Sequence, residues 1–359
     1  MNVSQEMESG VKPPTYVQDM EKKATPKQRG VRPAQLPVSR AKRDSFKIAN
    51  ILVPLDFSRP SFKALKYALP LAERFSSTLH LVHAFEYEYP MSILAAMPLA
   101  IPEAEIARRA KRRLQDVAKK NAIPLAPENC HVVEGRAYHA ICHLARELET
   151  DLIVTTTHGY TGLRHVFLGS TAERIVQHAP CGVLVVREHE REFVRATEGA
   201  TKSKSAIRLK KILVPLDFSD CSMVGLEFAV RFAQVWDAKL VMFNCVPLQT
   251  FAMYGEYGGR DSTALTNYAQ KAAREQMNEV ATSLKSKNIV IEGVIELGAP
   301  AQAICDYARS NEVDLIVTAT HGSTGLTHVL VGSTAEHIVR YAHCPVLVMP
   351  SYAREGKHQ

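Results

Sequence analysis

The chain repeats itself, and the repeat limits what it can fold into. Ile51-Leu-Val-Pro-Leu-Asp-Phe-Ser58 recurs as Ile212-Leu-Val-Pro-Leu-Asp-Phe-Ser219, an offset of 161. Asp151-Leu-Ile-Val-Thr recurs from Asp314, Thr157-His-Gly from Thr320, and Gly169-Ser-Thr-Ala-Glu173 from Gly332, all at an offset of 163. An offset that drifts by two residues over this distance is the mark of one domain duplicated. The copies span 48–187 and 210–350, about 140 residues each, enough for each to bury a core of its own. Residues 1–47 form a basic tail whose composition is too polar to offset chain entropy, so disorder is expected. Residues 188–209, rich in Arg, Glu, Thr, Lys and Ser, are expected to be a linker, and 351–359 a C-terminal tail.

Charge and cysteine usage narrow the function classes. The 359-residue chain has a formal net charge of +7. The excess sits in residues 1–47 and 187–211, which leaves the remainder slightly acidic. That distribution argues against a dedicated nucleic-acid-binding domain. The longest uncharged apolar stretch, Tyr89 to Pro102, is broken by prolines and is too short to cross a bilayer. No charged-then-apolar leader opens the sequence, so a cytoplasmic protein without membrane contact is expected. Seven cysteines without a Cys-x-x-Cys pair point to a reducing compartment and exclude finger-type zinc sites.

Within each copy, apolar runs alternate with helical periodicity. In the first, strands are predicted over Ile48–Leu55, Thr78–Phe85, His131–Glu134, Leu152–Thr156 and Gly182–Val186. Helices are predicted from Ser58 to about Phe75, over about 103–121, over Ala137–Glu149 and over Thr171–His178. The second copy places strands near 211–216, 239–246, 289–295, 315–319 and 345–349. Strands separated by helices imply parallel neighbours and right-handed crossovers, and continuous apolar runs imply helices on both faces. Each copy is therefore expected to be a five-stranded, doubly wound α/β domain. Such sheets bind ligands beyond the carboxyl ends of their strands, where strand order reverses.

Two segments of each copy fall at those ends. One is Pro54-Leu55-Asp56, repeated as Pro215-Leu216-Asp217. The other is Thr156-Thr-His158-Gly159, nine residues, then Gly169-Ser170-Thr171, repeated as Ala319-Thr-His321-Gly322, nine residues, then Gly332-Ser333-Thr334. Gly159 and Gly169 permit positive φ and a close backbone approach. Gly169-Ser170 opens a helix whose free amides and dipole suit a phosphate. The hydroxyls of Ser170 and Thr171 can add hydrogen bonds, and Asp56 can accept from ribose hydroxyls or an adenine amine. A purely structural role fits each feature taken alone. Ser170-x-x-Glu173 and Ser333-x-x-Glu336 have the spacing of capping boxes, and Asp56-Phe-Ser58 can cap the following helix.

The combination, in order, resembles the universal stress protein family across nearly all of both copies. The family's nucleotide motif is Gly, two residues, Gly, nine residues, Gly, then Ser or Thr. Thr157-His-Gly-Tyr-Thr-Gly-Leu, Leu168-Gly-Ser-Thr-Ala-Glu and Ala179-Pro-Cys-Gly-Val-Leu-Val-Val186 carry the likeness. The chain departs from the motif at its first Gly, where Thr156 and Ala319 stand. The resemblance implies an adenine nucleotide alpha hydrolase-like fold and binding of ATP, with Mg²⁺ as a companion on the phosphates. It assigns the nucleotide to Pro54, Asp56, Pro215 and Asp217, and to Ala84 and Cys245 beyond the second strands. Thr155–Thr161 and Thr318–Thr324 supply the loops, and Gly169-Ser170-Thr171 and Gly332-Ser333-Thr334 the phosphate ends. It further implies that the copies pack as an internal pseudo-dimer through Val183–Val186 and Val346–Met349, with a homo-oligomer as a further option.

No catalytic residue and no metal site is expected. His139 and His143 lie one helical turn apart, but a third ligand is lacking. No Walker lysine, dinucleotide fingerprint or Gly-x-Ser-x-Gly elbow is present. A nucleotide-binding stress-response or signalling module is the leading expectation. A nucleotide-free scaffold and a slow ATPase are the alternatives. The loops at Met91–Pro102 and Tyr254–Gly259 differ most between the copies.

Overall fold

Every apolar run that the repeat predicts becomes a strand, and all of them enter a single sheet. The computed structural model describes residues 46–86, 103–157, 169–187, 190–196, 205–247, 262–320 and 332–350. The first copy contains β1 (Asn50–Pro54), α1 (Ser61–Phe75), β2 (Thr78–Phe85), α2 (Glu103–Lys120), β3 (Cys130–Glu134), α3 (Ala137–Glu147), β4 (Leu152–Thr156), α4 (Ser170–His178) and β5 (Gly182–Val186). Two short strands follow, β6 (Val194–Ala196) and β7 (Ser205–Ile207). The second copy contains β8 (Lys211–Pro215), α5 (Asp220–Trp236), β9 (Lys239–Pro247), α6 (Ser262–Leu284), β10 (Ile291–Gly298), α7 (Pro300–Ser310), β11 (Leu315–Ala319), α8 (Ser333–Tyr341) and β12 (Val346–Met349).

The ten-stranded sheet runs β10-β9-β8-β11-β12-β5-β4-β1-β2-β3. Strand order reverses between β1 and β4 in the first copy and between β8 and β11 in the second. Pairing is parallel everywhere except at the joint, where β12 meets β5 antiparallel with Val346 opposite Val185, Leu347 opposite Leu184 and Val348 opposite Val183. The expected internal pairing through the last strands is thus present. Among the described residues an open edge remains at each end, β3 and β10.

The joint is closed on both faces of the sheet. On one face a single apolar cluster passes through both copies, joining Ile175 and Val176 of α4, Ile338 and Val339 of α8, and Val183, Val185, Val346 and Val348 of the joint strands. On the other face aromatic rings meet across the copies. Phe46 packs edge-on against Phe228 at 5.1 Å, and Phe75 contacts both Phe232 at 6.0 Å and Trp236 at 6.3 Å. Each such pair contributes about 0.5–1.5 kcal/mol beyond its buried area.

The stretch between the copies does more than connect them. Val194 pairs with Ile207 in a short antiparallel ladder, and Phe193 is buried edge-on against Tyr67 of α1 at 4.9 Å. Glu190 is buried beside Lys63 and receives a hydrogen bond from the Tyr67 hydroxyl at 3.2 Å. Burial pushes the Glu190 carboxyl up to about 7. Arg191 reaches into the second copy, where it pairs with Asp314 at 3.0 Å and Glu312 at 3.1 Å. Within the stretch expected to form a linker, residues 190–196 therefore brace one copy against the other.

Helix starts differ from expectation in an informative way. The first helix begins at Ser61, not Ser58. Asp56 Oδ1 accepts from the Ser58 amide at 2.9 Å and its hydroxyl at 2.6 Å, and Phe57 between them adopts φ +63°. That turn and Pro60 delay the helix. In the second copy Asp217 Oδ1 accepts from Ser219 in the same way, with Phe218 at φ +61°; Ser219 accepts from the Ser222 amide at 3.3 Å as Ser58 does from the Ser61 amide at 3.4 Å, but there the helix starts at once, at Asp220.

Candidate functional site

The two switch points are built alike. In the first copy β1 ends at Pro54, and the chain is held by the Leu55 amide on the Val82 carbonyl at 2.8 Å. His83 Nδ1 meets the Leu55 carbonyl at 2.7 Å. In the second copy Leu216 donates to the Phe243 carbonyl at 2.8 Å, and the Asn244 amide nitrogen donates to the Leu216 carbonyl, also at 2.8 Å. Ring and amide do the same work, fixing the turn that carries the aspartate. Asp56 is half-buried and Asp217 exposed. Sequence reasoning passed over Ser58, Ser219, His83 and Asn244 as site-shaping groups. The signal for the two serines was present, because they close the repeated octapeptide.

The second wall comes from β4 and β11. Thr155 and Thr318 are buried, so their side chains face the interior. Thr156 is half-buried and Ala319 is 7% exposed. Past them, the Gly169 amide donates to the Thr157 carbonyl at 2.7 Å, and the Gly332 amide to the Thr320 carbonyl at 2.8 Å. These bonds draw together the two ends of each intervening loop. His158, Gly159, His321 and Gly322 lie in those loops, outside the described residues.

Two expectations about the phosphate end are corrected. Gly169 and Gly332 have φ of −59° and −56°, so neither needs the left-handed freedom of glycine. What they offer is a missing side chain: a Cβ on Gly332 would rest 3.5 Å from the Thr320 carbonyl oxygen, an ordinary contact. The capping boxes do not form either. The glycines are themselves the N-caps, and Ser170 and Ser333 are the first helical residues. Glu336 pairs forward with Arg340 at 2.6 Å, and Glu173 accepts from Gln177 at 3.4 Å. The first amides of a helix have no acceptor inside it. Here the cap supplies no side-chain acceptor, and Ser170, Thr171 and Ser333 are exposed beside those amides, with Thr334 half-buried. Such a helix start suits an anion.

Ala84 and Cys245 lie near the ends of β2 and β9, half-buried, opposite Val133 and Glu296. Burial raises the Cys245 thiol above its ordinary range, so it stays protonated. All seven cysteines are free thiols. Arg113 of α2 lies 4.2 Å over the Phe57 ring, which also packs on His83 at 4.5 Å. Counting by the buried pairs Ala110/Ala273 and Leu114/Met277, the matching residue of the second copy is the exposed Gln276. Among the described residues no cluster of His, Cys, Asp or Glu is suited to a metal ion, and no helix is long and apolar enough to cross a membrane.

Residues 47–187 and 208–350 each match the model of the universal stress protein family. A universal stress protein of Methanocaldococcus jannaschii is 31% identical over 146 residues, 41% of this chain and 85% of that protein. One from the cyanobacterium Synechocystis is 26% identical over 148 residues, 39% of this chain and 96% of that protein. Among solved structures, a universal stress protein from Archaeoglobus fulgidus aligns with a TM-score of 0.59 at 18% identity, covering 86% of this chain and all of that one. That likeness establishes the doubly wound α/β fold.

Proposed function

Because the chain belongs to the universal stress protein family, we propose that it binds adenine nucleotide at both switch points, as a stress-response or signalling module of the cytoplasm. The observation that carries this reading is the pair of glycine-capped helices, α4 and α8, whose exposed first-turn serines are free of capping duty at the point where strand order reverses. Gly169, Ser170, Thr171 and their counterparts would hold the phosphates of ATP. Asp56 and Asp217, each fixed by its serine turn, would take the ribose or the base. Mg²⁺ would screen the phosphate charge. The free thiols fit a reducing compartment.

One observation favours a nucleotide-free scaffold instead. Thr156 and Ala319 place side chains where the family motif has glycine, and the joint pairs the two copies into one sheet. A direct measurement separates the readings. The protein is purified without added nucleotide and denatured, and the released small molecules are identified by chromatography and mass. One or two equivalents of ATP per chain support the binding module, and ADP supports the slow ATPase. An empty protein that also ignores Mg-ATP leaves the scaffold. Gly169→Asp with Gly332→Asp is expected to abolish binding, since each adds an anion where a phosphate would lie. Folding is expected to survive, because a Cβ on Gly332 meets only an ordinary contact. Unchanged ATP binding in that variant would refute the site assignment.

A further inference from the structure

A groove of about 680 Å³ lies at the outer edge of the first copy, along β3. Lys111, Arg112 and Gln115 of α2 form one wall, Leu144 of α3 contributes to the other, and His131 and Val132 lie in the floor. β3 is the last strand of the sheet, so one side of its backbone has no ladder partner among the described residues. Arg108 also lines the groove, but Glu105 engages it. Lys111 and Arg112 form no ion pair among the described residues. Lys111 acts on the floor, where its charge helps hold the His131 ring below its ordinary pKa after burial has done most of the lowering. Glu128 lines the groove as well and is its acidic element.

The second copy lacks this arrangement. Over Glu103–Lys120, α2 carries seven Lys or Arg against three acidic residues, whereas Ser262–Leu284 carries two against two. The counterpart of Arg112 is Glu275. The counterparts of His80 and His131, whose rings meet at 3.1 Å, are Val241 and Val294. The outer strand of that copy, β10, bears Glu292 and Glu296 instead.

An open strand edge beside uncompensated cations can bind an extended acidic chain: the edge supplies main-chain hydrogen bonds and the wall supplies charge complementarity. Among the described residues the lining carries no Phe, Tyr or Trp on which a nucleobase could stack, which favours a peptide over a single-stranded nucleic acid. We propose that β3 and the Lys111–Arg112 wall of α2 form a docking groove for an extended acidic peptide segment of a partner protein, which joins the sheet as an added strand.

The test uses the full chain and a short fluorescent peptide of alternating Glu and Val, followed by anisotropy and by amide exchange. Binding is expected, with slowed exchange at Cys130–Glu134. Lys111→Glu with Arg112→Glu is expected to weaken it about tenfold or more. Lys271→Glu with Arg274→Glu in the second copy is expected to change it less than about twofold. All four side chains are exposed, so both variants are expected to fold, as circular dichroism can verify. Four results would each overturn the proposal: no binding of the Glu-Val peptide; equal binding of a Glu-Pro peptide, which keeps the charge but cannot form the ladder; equal binding of a single-stranded oligonucleotide; or self-association of the chain that protects β3 in the absence of peptide.

Discussion

The two copies agree at the centre of the molecule and diverge at its rims. Both switch points share the aspartate-serine turn, the left-handed phenylalanine and the glycine-capped helix. Both joint strands are buried and contribute equally to one antiparallel pairing. The outer edges differ in sign, with a basic wall beside β3 and glutamates on β10. The duplicated parts that agree are those whose geometry is over-determined by packing on several sides. An edge strand is constrained on one side only, which leaves its chemistry open to diverge.

The largest effect is expected where the copies meet. Leu347→Asp places a charge at a position 3% exposed, opposite Leu184, and is expected to cost about 3–5 kcal/mol. Urea unfolding followed by Trp236 fluorescence measures this, since Trp236 is the single tryptophan and packs on Phe75 across the joint. A loss below about 1 kcal/mol would mean that the joint contributes little.

The second prediction sets the histidine pair of the first copy against the valine pair of the second. Burial, with His131 beside it, lowers His80 to about 4. His131 moves in the same direction, by burial and Lys111. Between the unfolded value near 6.5 and the folded value, the unfolded chain binds protons that the folded chain does not. For His80, stability is therefore unaffected above about pH 6.5 and falls as pH drops toward about 4, by up to about 1.4 kcal/mol per pH unit, and His131 adds in the same direction. His80→Val with His131→Val, which copies the second repeat, is expected to flatten that slope in urea titrations across this range. Glu190 leans the other way. Its raised value stabilises the fold fully below about pH 4.5, and that contribution is lost as pH rises through about 7. Glu190→Gln is expected to remove that fall between about pH 4.5 and 7, and so to steepen the opposing rise that the histidines impose over the overlapping range.

The smallest effect is expected beside the first switch point. Arg113→Gln, which again copies the second repeat, removes the cation over Phe57 and is expected to cost about 0.5–1 kcal/mol. A larger loss, read by thermal unfolding, would show that Arg113 also holds the Asp56 turn.

Much of this was legible before any coordinates. β2, β4, β5 and β11 have the ends that the apolar runs predict, because a strand buried on both faces stops where its apolar run stops. The first turn of α1 was not legible, since identical octapeptides precede helices that start differently. Arg59-Pro60 follows Ser58, whereas Asp220-Cys221 follows Ser219; both serines accept from the amide three residues on, but a residue that precedes proline is pushed out of the helical region. The bracing role of 190–196 was hidden by its composition. Glu190 and Arg191 read as solvated charges until Lys63 and Asp314, both more than 120 positions away, are placed beside them.

The sequence by itself determined the duplication, the alternation of strand and helix, and the residues at the strand ends, because each is written in local periodicity or direct identity. Only the tertiary structure decided that β5 and β12 would join two sheets into one, that β3 and β10 would be left as edges, and that a basic helix would stand beside one edge alone. Strands buried on both faces are uniformly apolar, and a uniform pattern names neither partner nor register. That choice belongs to the helices and rings that close over the joint from both sides.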